Sequence, residues 1–284
     1  MKRIFLIFII LIGGYLLYTT VTNLNWFSNQ DNTRADLTKK IDTIEFDITS
    51  LSLEIVPEKR DDLEADLVGK GKVIVSQKGD AIRISYEREW YKWFSFFNKS
   101  KLTVYIPEDY EEDMEINIGS GNVELSGKSE KQPFTLDELS IDIGSGNIKL
   151  NNLKMNKFSY NGSSGNATIQ GLASNSSSID LSSGNANIDD FSGELEADIS
   201  SGKLDVHFAE LNDSVEISVS SGTVTLGLPN DADFTLDGRV GSGNISYDFP
   251  LKVEKESKSS IKGTHGNGKH KIAVDVSSGS VKIQ

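Results

Sequence analysis

Ile116-Asn117-Ile118-Gly119-Ser120-Gly121-Asn122-Val123-Glu124-Leu125 is answered by Ile141-Asp142-Ile143-Gly144-Ser145-Gly146-Asn147-Ile148-Lys149-Leu150. On each side of a Ser-Gly turn, apolar and polar residues alternate. A period of two marks a strand with one face buried. The turn, Gly or Ser followed by Ser-Gly and then Asn, Lys, Thr or Ser, recurs eight times. It begins at Gly119, Gly144, Ser163, Ser182, Ser200, Ser220, Gly241 and Ser277, at intervals of 18 to 25 residues except for a final interval of 36. The triplet before the turn is weak in two copies, Tyr160-Asn161-Gly162 and Gly238-Arg239-Val240.

Recurrence at this period is the signature of a repeat architecture. One strand-turn-strand unit cannot bury its own apolar face, and stacking copies removes the problem. The expected fold is therefore all-β: a β-solenoid, parallel β-helix or roll-like, with Ser-Gly-Asn corners lying over one another. The Asn after each Gly is placed to share amide hydrogen bonds with its counterpart one coil away. The competing arrangement is an antiparallel sandwich in which Ser-Gly-Asn closes hairpins, with turn signals every 8 to 12 residues or so.

Upstream, residues 41–110 read as a diverged start of the array. Phe46 to Pro57 resembles a repeat without its glycine, and Val73-Ile74-Val75, Ile82-Arg83-Ile84 and Leu102 to Pro107 read as further strands. The expected domains are an anchor at 1–22, a polar stalk at 23–40, this cap at 41–110 and the repeats at 111–284. The anchor rests on the unbroken apolar run Ile4 to Tyr18, extended by Thr19, Thr20 and Val21. As a helix this spans roughly 27 Å, enough for a bilayer core. Lys2 and Arg3 flank it, and no other basic residue occurs before Arg34. That bias puts the N-terminus in the cytoplasm and the remainder outside, in a single pass. A cleaved signal peptide would have a shorter apolar stretch and a small-residue cut site, which Tyr18 to Val21 does not offer.

The chain has no cysteine, so disulfides, thiolate metal sites and cysteine nucleophiles are excluded. Its net charge is −13, which disfavours nucleic acid as a partner. Against that acidity, Ala81 to Lys101 holds Arg83, Arg88, Lys92, Lys99 and Lys101 against Glu87 and Glu89. Within it, Trp90, Tyr91, Lys92, Trp93, Phe94, Phe96, Phe97 and Lys99 form the candidate contact for membrane or partner. Aromatic rings beside cations suit a lipid interface or an anionic envelope polymer. The other reading is a cap, with rings over the open end of the solenoid and cations in water.

Asp142, Asp180, Asp198 and Asp275 precede their turns at equivalent positions, where stacking would bring Asp180 and Asp198 to about 5 Å. Calcium could relieve that repulsion, but the other copies carry Asn117, Asn161, Ser218 and Arg239 there, so solvated side chains are expected and no cofactor is. His265 and His270 sit in a Gly-rich stretch and, with His207, make no metal set by spacing. No G-x-S-x-G elbow is present.

An N-terminal apolar segment followed by these units resembles the LiaG-like family of proposed adhesins, common in Gram-positive bacteria, over residues 41–284. The resemblance implies a β-solenoid fold, and the best-known relatives are associated with envelope-stress operons. It supplies no catalytic residues. The function expected is a non-catalytic, membrane-anchored binding or scaffolding protein of the cell envelope. Its partners would be membrane lipid through the anchor and an envelope polymer or membrane protein. An accessory role in envelope-stress sensing is the second reading, and a polysaccharide-active β-helix enzyme the third.

Overall fold

The computed structural model describes residues 33–38, 40–87 and 100–284. The expected anchor lies outside them, as do most of the expected stalk and the aromatic stretch from Trp90 to Lys99. Among the described residues no helix is long and apolar enough to cross a membrane. Thr33–Gln284 forms one compact unit.

Its first strands are β1 (Arg34–Asp36), β2 (Thr43–Glu58), β3 (Asp62–Val68), β4 (Lys72–Lys78), β5 (Ala81–Glu87) and β6 (Lys101–Pro107). The central coils are β7 (Asp113–Ser126), β8 (Phe134–Leu181), β9 (Asn185–Ile199), β10 (Lys203–Glu210), β11 (Val215–Val219) and β12 (Thr223–Gly227). The last are β13 (Phe234–Val240), β14 (Asn244–Tyr247), β15 (Lys252–Ser257), β16 (Ser260–His265), β17 (His270–Val276) and β18 (Ser280–Ile283). β1 falls inside the stretch expected as a stalk and pairs antiparallel with β3.

The corners stack. Ser120, Gly121 and Asn122 lie opposite Ser145, Gly146 and Asn147 in a parallel ladder. Asn166 lies opposite Asn185, Asn185 opposite Lys203, and Lys203 opposite Thr223. The chain is thus a solenoid; hairpin-closed sandwich strands would run antiparallel at these places. The alternation explains why: Ile116, Ile118, Val123 and Leu125 point inward and are at most 3 % exposed. The corner glycines have a sharper reason. Gly146 has φ +125°, and a Cβ there would sit 1.8 Å from the Gly121 carbonyl oxygen of the coil below. Only glycine allows both the left-handed backbone and that approach.

Spatial order departs from chain order at both ends. The last corner does not follow its predecessor. Ser280 lies between Thr223 and Asn244, because β17 and β18 insert between β11/β12 and β13/β14. The long final interval holds the hairpin β15–β16, and β16 pairs antiparallel with β13. The N-terminal end mirrors this. β2 lies between β7 and the later coil β5/β6, while β4 and β3 pair antiparallel outside that coil. Each terminal coil is therefore tucked one layer in, with both its edges hydrogen-bonded. Outside β5, β6 and β13 the edge is left to the antiparallel strands β4, β3 and β16, which do not propagate the parallel stack.

The two weak triplets are compensated in the core. Gly162 leaves its inward space to Tyr160, whose hydroxyl would be 2.7 Å from a Cβ at Gly162. Tyr160 is 1 % exposed, and its burial pushes the phenol pKa up to about 12. At Gly238, side chains from outside fill the gap. Ile261 Cγ2 and Ile245 Cδ1 stand 2.6 and 2.8 Å from where a Cβ would be.

A second corner was not legible as a motif. Asn152, Gly171 and Asp190 adopt positive φ (53°, 70° and 56°) in successive coils. Each lies five positions after a corner Asn: Asn147, Asn166 and Asn185. Asn, Gly and Asp share little as a sequence pattern, but they are the residues that best tolerate left-handed backbone.

Candidate functional site

The solenoid presents two outward sheet faces that meet at the Ser-Gly corner. On the strand after the corner, the asparagines form the amide ladder expected from the repeat. Asn122 Nδ2 donates to Ser52 Oγ (3.2 Å), Asn147 Nδ2 to Asn122 Oδ1 (2.9 Å), Asn166 to Asn147 (3.3 Å) and Asn185 to Asn166 (3.0 Å). The charges of this row and the next are paired: Lys101 with Glu54, Lys149 with Glu124 and Lys203 with Asp205, at 2.5 to 2.8 Å. His207 Nδ1 lies 3.0 Å from Asp189 Oδ1 on this face. The face is close to neutral and internally bonded.

The strand before the corner is different. Its row nearest the corner runs Asp47, Asn117, Asp142 along the stack, with Asn161 in the same groove. Asp180 lies opposite Asp198, Asp198 opposite Ser218, and Ser218 opposite Asp275. The four equivalent aspartates thus share one row, and only Asp180 and Asp198 are direct neighbours. Like charges also face each other at Glu45 and Glu115, and at Glu196 and Glu216. Farther from the corner, Asp113 has its pKa raised, first by burial and then by the nearby Asp137 and Glu138. Cations on this face include Arg83, paired with Asp47, Lys157, paired with Glu138, and farther along the stack Arg239, opposite Asp275, and Lys271. Asp47, Asn117, Asp142 and Asn161 line a shallow groove of about 410 Å³. Among the described residues no three His, Asp or Glu side chains converge as a metal site.

The remaining histidines flank β13. Phe234 lies opposite His265 on one side and His270 on the other. The His265 ring packs against Phe249 at 5.0 Å and its Nδ1 lies 3.1 Å from the Pro250 carbonyl oxygen. The Gly-rich turn wraps Asp233, which accepts N–H bonds from Lys269 (2.9 Å) and Asn267 (2.8 Å). The Lys269 N–H first, and then the Asn267 side chain, hold the Asp233 carboxyl below its ordinary pKa. These contacts fasten a loop.

At the N-terminal cap the register locates the candidate aromatic residues in sequence. Ile48 pairs with Tyr86 and Ser52 with Lys101. Where β2 turns the corner with three residues, the outer coil carries the fourteen residues 87–100. The eight candidate contact residues all fall in this insertion, outside the described residues. Its base is pinned. Tyr86 Oη and Ser100 Oγ both donate to the Lys70 carbonyl (2.7 and 2.9 Å), and Lys70 N donates back to Ser100 Oγ (3.2 Å). Gly69 and Gly71 make room: a Cβ at Gly71 would be 2.4 Å from the Tyr86 ring. The same strand holds the start of the described chain. The Thr33 carbonyl accepts from Ala65 N (2.7 Å), and Val68, three residues along β3, pairs with Lys101. Three strand residues cover roughly 10 Å. Sequence reasoning found the aromatic stretch but not this shared base, because the pairings that create it are non-local.

No curated protein matches the chain. Two solved structures are similar over 88 % of this chain and 96 % of their own: a proposed cell-adhesion protein from Clostridium sporogenes (12 % identity, TM-score 0.28) and a proposed adhesin from Bacteroides fragilis (14 %, 0.47). At these scores the two carry no argument about activity. The model of the family described as Toastrack DUF4097 matches residues 41–284, the whole of the stacked array and its N-terminal cap. By that match the chain belongs to the Toastrack DUF4097 family.

Proposed function

We propose that the protein is a membrane-anchored, extracytoplasmic binding or scaffolding module of the cell envelope, adhesin-like and LiaG-like in placement. One observation carries this reading. The described chain begins, and resumes after the aromatic insertion, on opposite edges of β3, and three residues along the strand with two strand spacings across it make a separation of roughly 14 Å. An apolar segment at 1–22 that anchors the chain would therefore join the same cap as the stretch of sequence that carries Trp90, Tyr91, Lys92, Trp93, Phe94, Phe96, Phe97 and Lys99. Val68, 65 % exposed, stands at the same edge. Aromatic rings interleaved with cations favour contact with the lipid interface.

The test is liposome binding. Replacing Trp90, Trp93, Phe96 and Phe97 with Ser should weaken binding to anionic vesicles at least several-fold and leave the melting temperature unchanged. Unaltered binding would remove the lipid contact, and loss of folding would assign the rings to capping. Co-purification with membrane sensor proteins through residues 1–30, without lipid binding, would favour the stress-sensing role instead.

A further inference from the structure

We infer that the acidic face before the Ser-Gly corner is a docking surface for an extended lysine- or arginine-rich polypeptide. The argument begins with what this face forgoes. Both faces ride on the same backbone ladder, and on the other one the charged side chains are paired with opposite charges between or within coils. Three successive coils of the acidic face place Ser176, Ser178 and Asp180, then Glu194, Glu196 and Asp198, then Ser214, Glu216 and Ser218 outward. That patch has five carboxylates and no cation. Two of its register neighbours, Asp180 with Asp198 and Glu196 with Glu216, are like charges about 4.8 Å apart. Directly opposed like charges destabilise a sheet, and the fold has a ready remedy that it uses on its other side.

Shape points the same way. A trough lined by Glu194, Glu196, Glu216 and Lys271 adjoins a second one lined by Glu216, Asp237, Asp275, Arg239 and Lys271, so a continuous furrow follows the stack, with carboxylates outnumbering cations along it. Spacing selects the partner. Glu194, Glu196 and Asp198 alternate along one strand, so their carboxylates recur at about 6.7 Å. That is also the repeat of alternate side chains in an extended polypeptide. A single divalent ion needs converging oxygens, and these diverge from a flat sheet. The excess of negative charge in the furrow, greatest at Glu194, Glu196 and Asp198, raises the local concentration of a cationic chain and steers its approach.

This deepens the binding reading above by naming a class of partner. It is independent of lipid, so either can fail alone. The probe is fluorescent decalysine, titrated against the full chain in neutral detergent at low salt. Two variants change net charge equally: Glu196→Gln/Asp198→Asn/Glu216→Gln on the acidic face, and Glu54→Gln/Glu124→Gln/Asp205→Asn on the amide face. The expected result is at least tenfold weaker binding for the first and less than twofold for the second, with both melting cooperatively. Equal weakening would mean that only overall charge acts, and would overturn the inference. So would a wild-type chain that does not bind, or an acidic-face variant that binds unchanged.

Discussion

The two outward faces of this solenoid share a backbone and differ in how they use it. After the corner, Asn122, Asn147, Asn166 and Asn185 join one coil to the next, and the lysines beside them are paired with carboxylates. Before the corner, carboxylates are stacked on carboxylates. The difference teaches that the fold depends on inward side chains and on the backbone ladder. Outward positions are free to be spent on stability or kept for contact.

The comparison would be broken most severely at the corner that the two faces share. Gly146→Ala puts a Cβ against the Gly121 carbonyl in a backbone that L-residues rarely adopt. Urea unfolding should show a loss of about 3 kcal/mol or more. A loss below about 1 kcal/mol would mean that the corner can shift.

A smaller effect should sharpen the contrast within a single coil. Asn147 donates to Asn122 and accepts from Asn166. Asn147→Ala should cost about 1 kcal/mol. Asp142→Ala, five residues earlier on the acidic face, should be neutral within about 0.5 kcal/mol or stabilising. Equal costs would erase the distinction between the faces.

The smallest effect is a pH dependence. Asp113 has a pKa above its ordinary value, so the folded chain holds its proton more tightly than the unfolded chain. Its penalty is absent below the unfolded pKa, near 4, and grows as pH rises through the folded pKa. Asp113→Asn should therefore gain on wild type as pH is raised through the carboxylate range, in melting curves. Asp233 should behave in the opposite sense. Its pKa is lowered, so its contribution is present above the unfolded value and lost as pH falls through the folded one. A variant at Asp113 whose advantage is the same at pH 3 and pH 7 would assign the effect to packing.

Much of this was legible residue by residue. Ile116, Ile118, Val123 and Leu125 announce an inward row, and Gly146 and Asn147 announce a corner and a ladder. The acidity was legible only as a total. Glu196 and Glu216 are twenty residues apart, and nothing in their neighbourhoods says that they face each other. The base of the aromatic insertion was hidden for the same reason, since Lys70 and Ser100 meet across thirty residues.

By itself the amino-acid sequence determined the unit: an alternation with period two, a glycine where the backbone turns left-handed, and an apolar interior. These follow from local sterics and from the burial of apolar surface, which each repeat carries within its own twenty or so residues. Only the tertiary structure decided which coil lies beside which. It tucked β2 and β17/β18 one layer in from the ends, filled the gap at Gly162 with Tyr160, and sorted the charges into one acidic and one neutral face. The physical reason is that a parallel ladder's N–H and C=O groups are alike in every coil. Any strand of matching register can occupy a given edge, and closure of the whole stack selects among them.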